Sequence, residues 1–192
     1  MINETGYDIV VLGGSAGSIS VMIQILSSLP TQFPLSLVIV LHRLKNVSSE
    51  MNKILSMGRR GLSIHEPDDK EPIQPGHIYL APQNYHLLVE ADKSFSLDYS
   101  ELVNYSRPAI DVTFESVAQV FGARAIGVLL SGANHDGAAG LLTLVKQGGR
   151  GIVQDPETAD YPTMPRAALA LTDKLDVFTP KQIVAFLTSL CC

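Results

Sequence analysis

Ser15, His42 and Asp136 combine a nucleophile, a base and a carboxylate, and each lies just beyond a short apolar run. A serine hydroxyl attacks a carbonyl efficiently only when a base within hydrogen-bond reach takes its proton. An imidazole base in turn needs a carboxylate to hold one tautomer and to stabilise the imidazolium. If the preceding runs are parallel strands, all three residues emerge at the carboxyl edge of one sheet, where open α/β folds bind ligands. The chemistry of such a set is acyl transfer through a covalent intermediate. Each residue alone also has a plainer use: Ser15 as a helix cap or phosphate-loop residue, His42 as a hydrogen-bonded rim residue, Asp136 as the cap of the helix it precedes.

The stretch Asp8-Ile9-Val10-Val11-Leu12 reads as a strand buried on both faces, stopped by Gly13 and Gly14. Gly13-Gly14-Ser15-Ala16-Gly17 fits G-x-S-x-G, a strand-to-helix turn that lifts a serine hydroxyl above a sheet edge. It does not fit the dinucleotide pattern G-x-G-x-x-G, because Ser15 and Ser18 stand at the third and sixth positions. An apolar-periodic helix is expected over 19–29 and a second strand over 35–41, ending at His42. The third strand of this kind spans 125–130. It runs into Ser131-Gly132-Ala133-Asn134-His135-Asp136-Gly137, a second glycine-rich junction that opens a helix. No histidine follows His135, so the order Ser, Asp, His of the α/β-hydrolases, with its late histidine, fits poorly.

Between these elements, Tyr85–Glu90 and Ser94–Asp98 read as a hairpin turning at Ala91-Asp92-Lys93, after a short strand over 78–80. Arg107-Pro108-Ala109-Ile110-Asp111 opens a helix with apolar positions at Ile110, Phe114, Val117 and Phe121. Further along, a strand over 151–154, a helix over 166–171 and a strand near Val177-Phe178 are expected. Thr179-Pro180-Lys181-Gln182 is a capping box opening a last helix over 180–190. The alternation predicts an α/β protein: a three-layer α/β/α, doubly wound, mostly parallel sheet with a small antiparallel hairpin region.

With 192 residues, 46% of them apolar and 17% charged, one packed domain over 1–192 is expected rather than a disordered chain. A net charge of −5 argues against nucleic acid as a partner. No apolar run approaches the length that spans a bilayer, and residues 1–8 lack a signal segment, so a cytoplasmic location is expected. Arg43, Lys45, Lys53, Arg59 and Arg60 against the single acid Glu50 read as a solvated face, with a basic rim beside the site as the functional alternative. His65, His77 and His86 lack ligand spacing and are expected to be structural, so neither metal nor cofactor is called for. Cys191 and Cys192 read as a loose tail.

Taken together, the landmarks resemble those of the chemotaxis protein-glutamate methylesterases (CheB type). They are Gly13–Gly17, the strand ending in His42, Pro75-Gly76-His77-Ile78-Tyr79-Leu80-Ala81-Pro82, Arg107–Asp111, Ser131–Ala138 and Met164-Pro165-Arg166-Ala167-Ala168. The resemblance implies Ser15 as nucleophile, His42 as general base and acid, and Asp136 as the orienting carboxylate. It also implies hydrolysis of glutamyl γ-methyl esters, with glutamine deamidation as a second activity. The implied partners are the cytoplasmic helices of methyl-accepting chemotaxis receptors and a separate response regulator. Ala16 stands where the family usually has threonine, Leu41 where it often has glutamine, and Gly132-Ala133-Asn134-His135 replaces a Gly-Met-Gly loop. The first strand starts near residue 8, so the receiver domain usual in the family is not expected. Two rival readings are a non-catalytic chemosensory binding module on the same fold and a nucleotide- or phosphate-binding domain using the Gly13–Ser18 turn.

Overall fold

The computed structural model describes residues 6–43, 50–57 and 62–191. The first strand, β1 (Ile9–Gly14), leads into α1 (Ile19–Ser28) and β2 (Ser36–Leu41), followed by the short α2 (Met51–Ser56) and β3 (Ile64–His65). Next come β4 (Ile78–Leu80), the hairpin strands β5 (His86–Val89) and β6 (Phe95–Asp98), α3 (Ile110–Phe121), β7 (Ala125–Leu129) and α4 (Ala138–Lys146). The chain closes with β8 (Arg150–Gln154), α5 (Thr163–Leu169), β9 (Asp176–Phe178) and α6 (Pro180–Ser189). Seven strands form one parallel sheet in the order β3-β4-β2-β1-β7-β8-β9, and β5 and β6 pair antiparallel beside it. The expected architecture is therefore present.

Strand alternation divides the core into two layers. Ile9, Val11, Val38 and Val40 face Phe114, Val117, Leu141 and Leu144 of α3 and α4. Val10, Leu12, Leu37, Ile39 and Leu41 face Met22, Ile25, Leu26, Ile183 and Leu187 of α1 and α6. Both faces of the central strands are thus covered, which is why they read as unbroken apolar runs rather than alternating ones. The chain winds from β1 through β2 to one side, then returns to β7 on the other side of β1. That reversal opens a crevice at the carboxyl ends of β1, β2 and β7.

Gly13 and Gly14 do not stop β1; they are its last two residues, paired with Val40 and Leu41. A Cβ on Gly13 would lie 2.5 Å from Ile110 Cγ2, so the absence of a side chain here serves close packing of α3 rather than a turn. The turn comes at Gly17, with φ +77°. The helix expected over 166–171 begins three residues earlier, at Thr163, with Pro165 in its first turn, where a missing N–H costs no bond. The capping box opening α6 forms as expected. Cys191 is half-buried against the α1/α6 layer rather than in a loose tail, because Leu190 before it is a core residue. Cys192 lies outside the described residues, as do residues 1–5.

Candidate active site

The end of β1 is held between its two neighbours. His42 N donates to Gly14 O at 3.3 Å, and Ser15 N donates to Ser131 O at 3.0 Å. Ser131 Oγ donates to Ala16 O at 2.8 Å, and Ser18 N and Oγ both donate to Ser15 O, at 3.1 and 2.7 Å. These bonds stiffen the turn carrying Ser15 ahead of α1. The backbone N–H groups of Ala16 and Ala133 engage no acceptor among the described residues. Ala16 and Ala133 are exposed residues, and unpaired amides of this kind can bind an oxyanion.

His42 directs Nε2 at Asp136 Oδ2, 2.7 Å away, and its side chain is 13% exposed. Because a carboxylate only accepts, the bond assigns the Nε2–H tautomer and leaves Nδ1 as the free base nitrogen. Nδ1 faces Ser106 Oγ at 3.5 Å, too long for a strong bond. Ser15 and His42 line the same open pocket of about 470 Å³, together with Ala16, Arg43, Tyr105, Ser106, Arg107 and Pro108. Among the described residues, no hydrogen bond joins the Ser15 hydroxyl to the imidazole.

Asp136 is fully buried, and its carboxylate accepts four bonds. Oδ2 takes His42 Nε2 and the Ile110 amide at 2.6 Å; Oδ1 takes Asn104 Nδ2 at 2.9 Å and the Asp111 amide at 3.2 Å. Burial pushes its pKa up, but the bonds from His42, Asn104 and Ile110 outweigh burial and hold it below the usual aspartate value. The cap reading of Asp136 is thus half correct: the residue caps a helix, but that helix is α3, not the α4 it precedes. The N-cap of α4 is Gly137, at φ +92°. Asp111, buried in the first turn of α3, shows the opposite shift: burial and the nearby Asp136 charge push its pKa up.

The loop between β6 and α3 closes over the site. His86 pins it: the Ala109 amide donates to Nδ1 at 3.2 Å, so Nε2–H donates to Glu101 O at 2.9 Å. The structural role expected for His86 is therefore what the fold uses. Arg107 donates to Tyr99 O at 3.1 Å and to Ser100 O, with its guanidinium 3.9 Å from the Tyr99 ring centroid. Arg43 is not part of a solvated face. Its side chain is 4% exposed, bonded to Ala81 O and Glu66, and lines the pocket. Lys53 remains solvated beside Glu50, whereas Lys45, Arg59 and Arg60 lie outside the described residues.

The fold places Ser15, His42 and Asp136, the three candidates from sequence, at one crevice. Sequence reasoning missed Asn104, Tyr105 and Ser106, which the loop delivers from outside the strand–helix pattern. Their one local signal is the pair of positive φ angles at Asn104 and Tyr105, +50° and +62°, which no sequence rule predicts with tyrosine.

The family model described as CheB methylesterase matches residues 10–187. A Leptospira interrogans protein provisionally named as a protein-glutamate methylesterase/protein-glutamine glutaminase is 47% identical over 86% of each chain. The Symbiobacterium thermophilum enzyme of that name is 33% identical over 94% of this chain but only 49% of its own, so the chain spans about half of that longer relative. The crystal structure of the Thermotoga maritima CheB methylesterase catalytic domain superposes with a TM-score of 0.87 at 31% identity, covering 96% of this chain and 98% of that one. By sequence and by fold, this chain belongs to the CheB methylesterase family.

Proposed function

We propose that this protein is a cytoplasmic serine hydrolase that removes methyl groups from glutamyl γ-methyl esters of methyl-accepting chemotaxis receptors and deamidates glutamines at such sites. Ser15 Oγ attacks the side-chain carbonyl carbon while His42 Nδ1 takes the hydroxyl proton. Asp136 holds the resulting imidazolium. The amides of Ala16 and Ala133 receive the oxyanion of the tetrahedral intermediate. His42 then returns the proton to the methoxy oxygen, which leaves as methanol, or to the amide nitrogen of a glutamine, which leaves as ammonia. A water deprotonated by His42 attacks the glutamyl ester of Ser15, and glutamate leaves with the serine restored.

The observation carrying this reading is the buried Asp136–His42 pair, whose free nitrogen shares an open pocket with Ser15. The names of the relatives supply the ester and amide chemistry. Among the described residues no helix is long and apolar enough to cross a membrane, which fits action on the receptors' cytoplasmic helices.

The test is methanol release from a methylated receptor cytoplasmic fragment by the wild type, Ser15→Ala, His42→Ala and Asp136→Asn. Loss of about 10⁴-fold or more in kcat is expected for each, since triad members act as a unit. Ester cleavage that survives in Ser15→Ala would sink the assignment. Receptor binding with no cleavage by the wild type would favour the binding-module reading.

A further inference from the structure

A carboxylate that orients a catalytic imidazole must itself be oriented, and Asp136 has a like-charged neighbour close by. Asp111, on α3, turns Oδ2 to the same side-chain amide that serves Asp136. That amide belongs to Asn104: one nitrogen donates to Asp111 Oδ2 at 2.7 Å and to Asp136 Oδ1 at 2.9 Å. Two anions that share one neutral donor are held apart and fixed in rotation together. Without it they would repel, and only the longer Asp111 amide bond, at 3.2 Å, would be left on Oδ1 to hold the plane that presents Oδ2 to His42.

The backbone is arranged for this contact. Asn104 has φ +50°, in the left-handed region that asparagine tolerates better than most residues. Tyr105 follows at φ +62°, and a sparsely populated conformation at two successive residues persists only where its surroundings impose it. The same loop carries Tyr105, Ser106 and Arg107 into the pocket wall, where the paired backbone bonds of Val103 and Ser106 and the Arg107 bonds to Tyr99 O and Ser100 O hold it without the Asn104 side chain.

We propose that Asn104 is a positioning residue of this hydrolase, acting through Asp136: it sets the carboxylate's rotation and separates it from Asp111. The proposal rests on the triad reading above. Among the described residues no hydrogen bond joins Asn104 to the Ser15 turn or to the imidazole, so its loss lowers kcat and leaves KM unchanged. The charged and titratable groups around Asp136 are His42 from the end of β2, and Asp111 and Glu115 from α3. Removing the neutral donor weakens the orientation of the Asp136 bond to His42 but leaves the two negative charges beside the imidazole less compensated whatever the carboxylate's rotation, so the acidic limb of the kcat/KM profile moves to higher pH.

The experiment measures methanol release from a methylated receptor fragment against pH for the wild type, Asn104→Gly, Asn104→Asp and Asp136→Asn. Glycine keeps the left-handed backbone and deletes only the amide. Aspartate keeps the shape and places a third carboxylate in the cluster. Expected are a fall in kcat of about 10- to 100-fold in Asn104→Gly, as for other residues that orient a site's working groups, with KM within twofold. The acidic limb should shift upward, further in Asn104→Asp. Should Asn104→Gly fail to fold, Asn104→Asp carries the same kcat and pH readouts. The proposal is overturned if both variants keep wild-type kcat and pH profile while Asp136→Asn is inactive, which leaves the triad reading intact. A drop in kcat that matches a loss of folded protein, with the pH limb unmoved, also overturns it. Full activity in Asp136→Asn would bring down the triad reading and this role with it.

Discussion

Asp136 and Asp111 cap each other's helices. Asp136, just before α4, accepts the Ile110 and Asp111 amides that open α3, while Asp111 in α3 accepts the Gly140 amide in the first turn of α4 at 2.6 Å. Each carboxylate neutralises backbone donors that the other helix leaves without partners, at the end where the helix dipole favours negative charge. The carboxylate behind His42 is therefore also a structural joint between two packed helices.

That dual role separates two substitutions at one position. Asp136→Ala strips acceptors from buried amides and should destabilise the fold by roughly 2–4 kcal/mol. Asp136→Asn keeps one acceptor oxygen and should cost less than half as much. Both should abolish ester cleavage. Urea unfolding of the three proteins, read beside methanol release, checks the split; equal stability of the two variants would remove the capping role.

Acid should expose the same joint. The Asp136 pKa is held below the ordinary aspartate value of 3.8. Its ionised form is therefore favoured by folding, and the stability it contributes is complete above pH 3.8 and is lost as pH falls through the lower folded value. Asp111 has the opposite sign: its raised pKa makes ionisation a penalty that grows as pH rises from 3.8 through the folded value. The stability gap between the wild type and Asp136→Asn should thus be largest near neutrality and shrink below pH 3.8. Urea titrations at pH 7 and pH 3 test this, and a gap that widens in acid would contradict the sign.

Two serines share the pocket with the base. Ser106 Oγ lies 3.5 Å from His42 Nδ1, yet it stands in the loop before α3, whereas Ser15 stands on the turn from the central strand β1 into α1. Ser106→Ala should keep kcat/KM within about threefold, as expected where only a long hydrogen bond is lost. A loss as deep as that of Ser15→Ala would transfer the nucleophile role to Ser106.

Gly140 sets two rules against each other. Inside a helix, alanine is favoured over glycine by about 1 kcal/mol. A Cβ at this position, however, would sit 2.7 Å from Asp111 O and 2.8 Å from Asp111 Cα, backbone atoms that cannot rotate aside. Close approach wins: Gly140→Ala should destabilise by about 1–3 kcal/mol, the usual cost of overpacking. Thermal unfolding decides between the two rules, and a raised Tm would mean that α3 and α4 separate without cost.

The residues of the candidate site were legible to different degrees, for one physical reason. Burial on both faces makes β1, β2 and β7 continuous apolar runs, and a parallel sheet sends their carboxyl ends to one edge. Ser15, His42 and Asp136 could therefore be grouped from local patterns. Hydrophobic patterning also foretold the two core layers and the β5–β6 hairpin. It carries no record of which polar group meets which across the chain. The four bonds to Asp136 come from residues 25 to 94 positions away. Whether Asp136 caps α4 or α3 depends on helix packing, and whether Gly13 and Gly14 serve as a strand stop or make room, Gly13 for Ile110 and Gly14 for Ser18 and Met22, depends on what packs against them. The position of Asn104 between two carboxylates follows from a left-handed loop turn stabilised only by the contacts it makes. Local sequence determined the strands, the helices and the edge at which the chemistry lies; tertiary packing decided which polar groups meet there, because a hydrogen bond needs its partner within about 3 Å and sequence distance does not encode that.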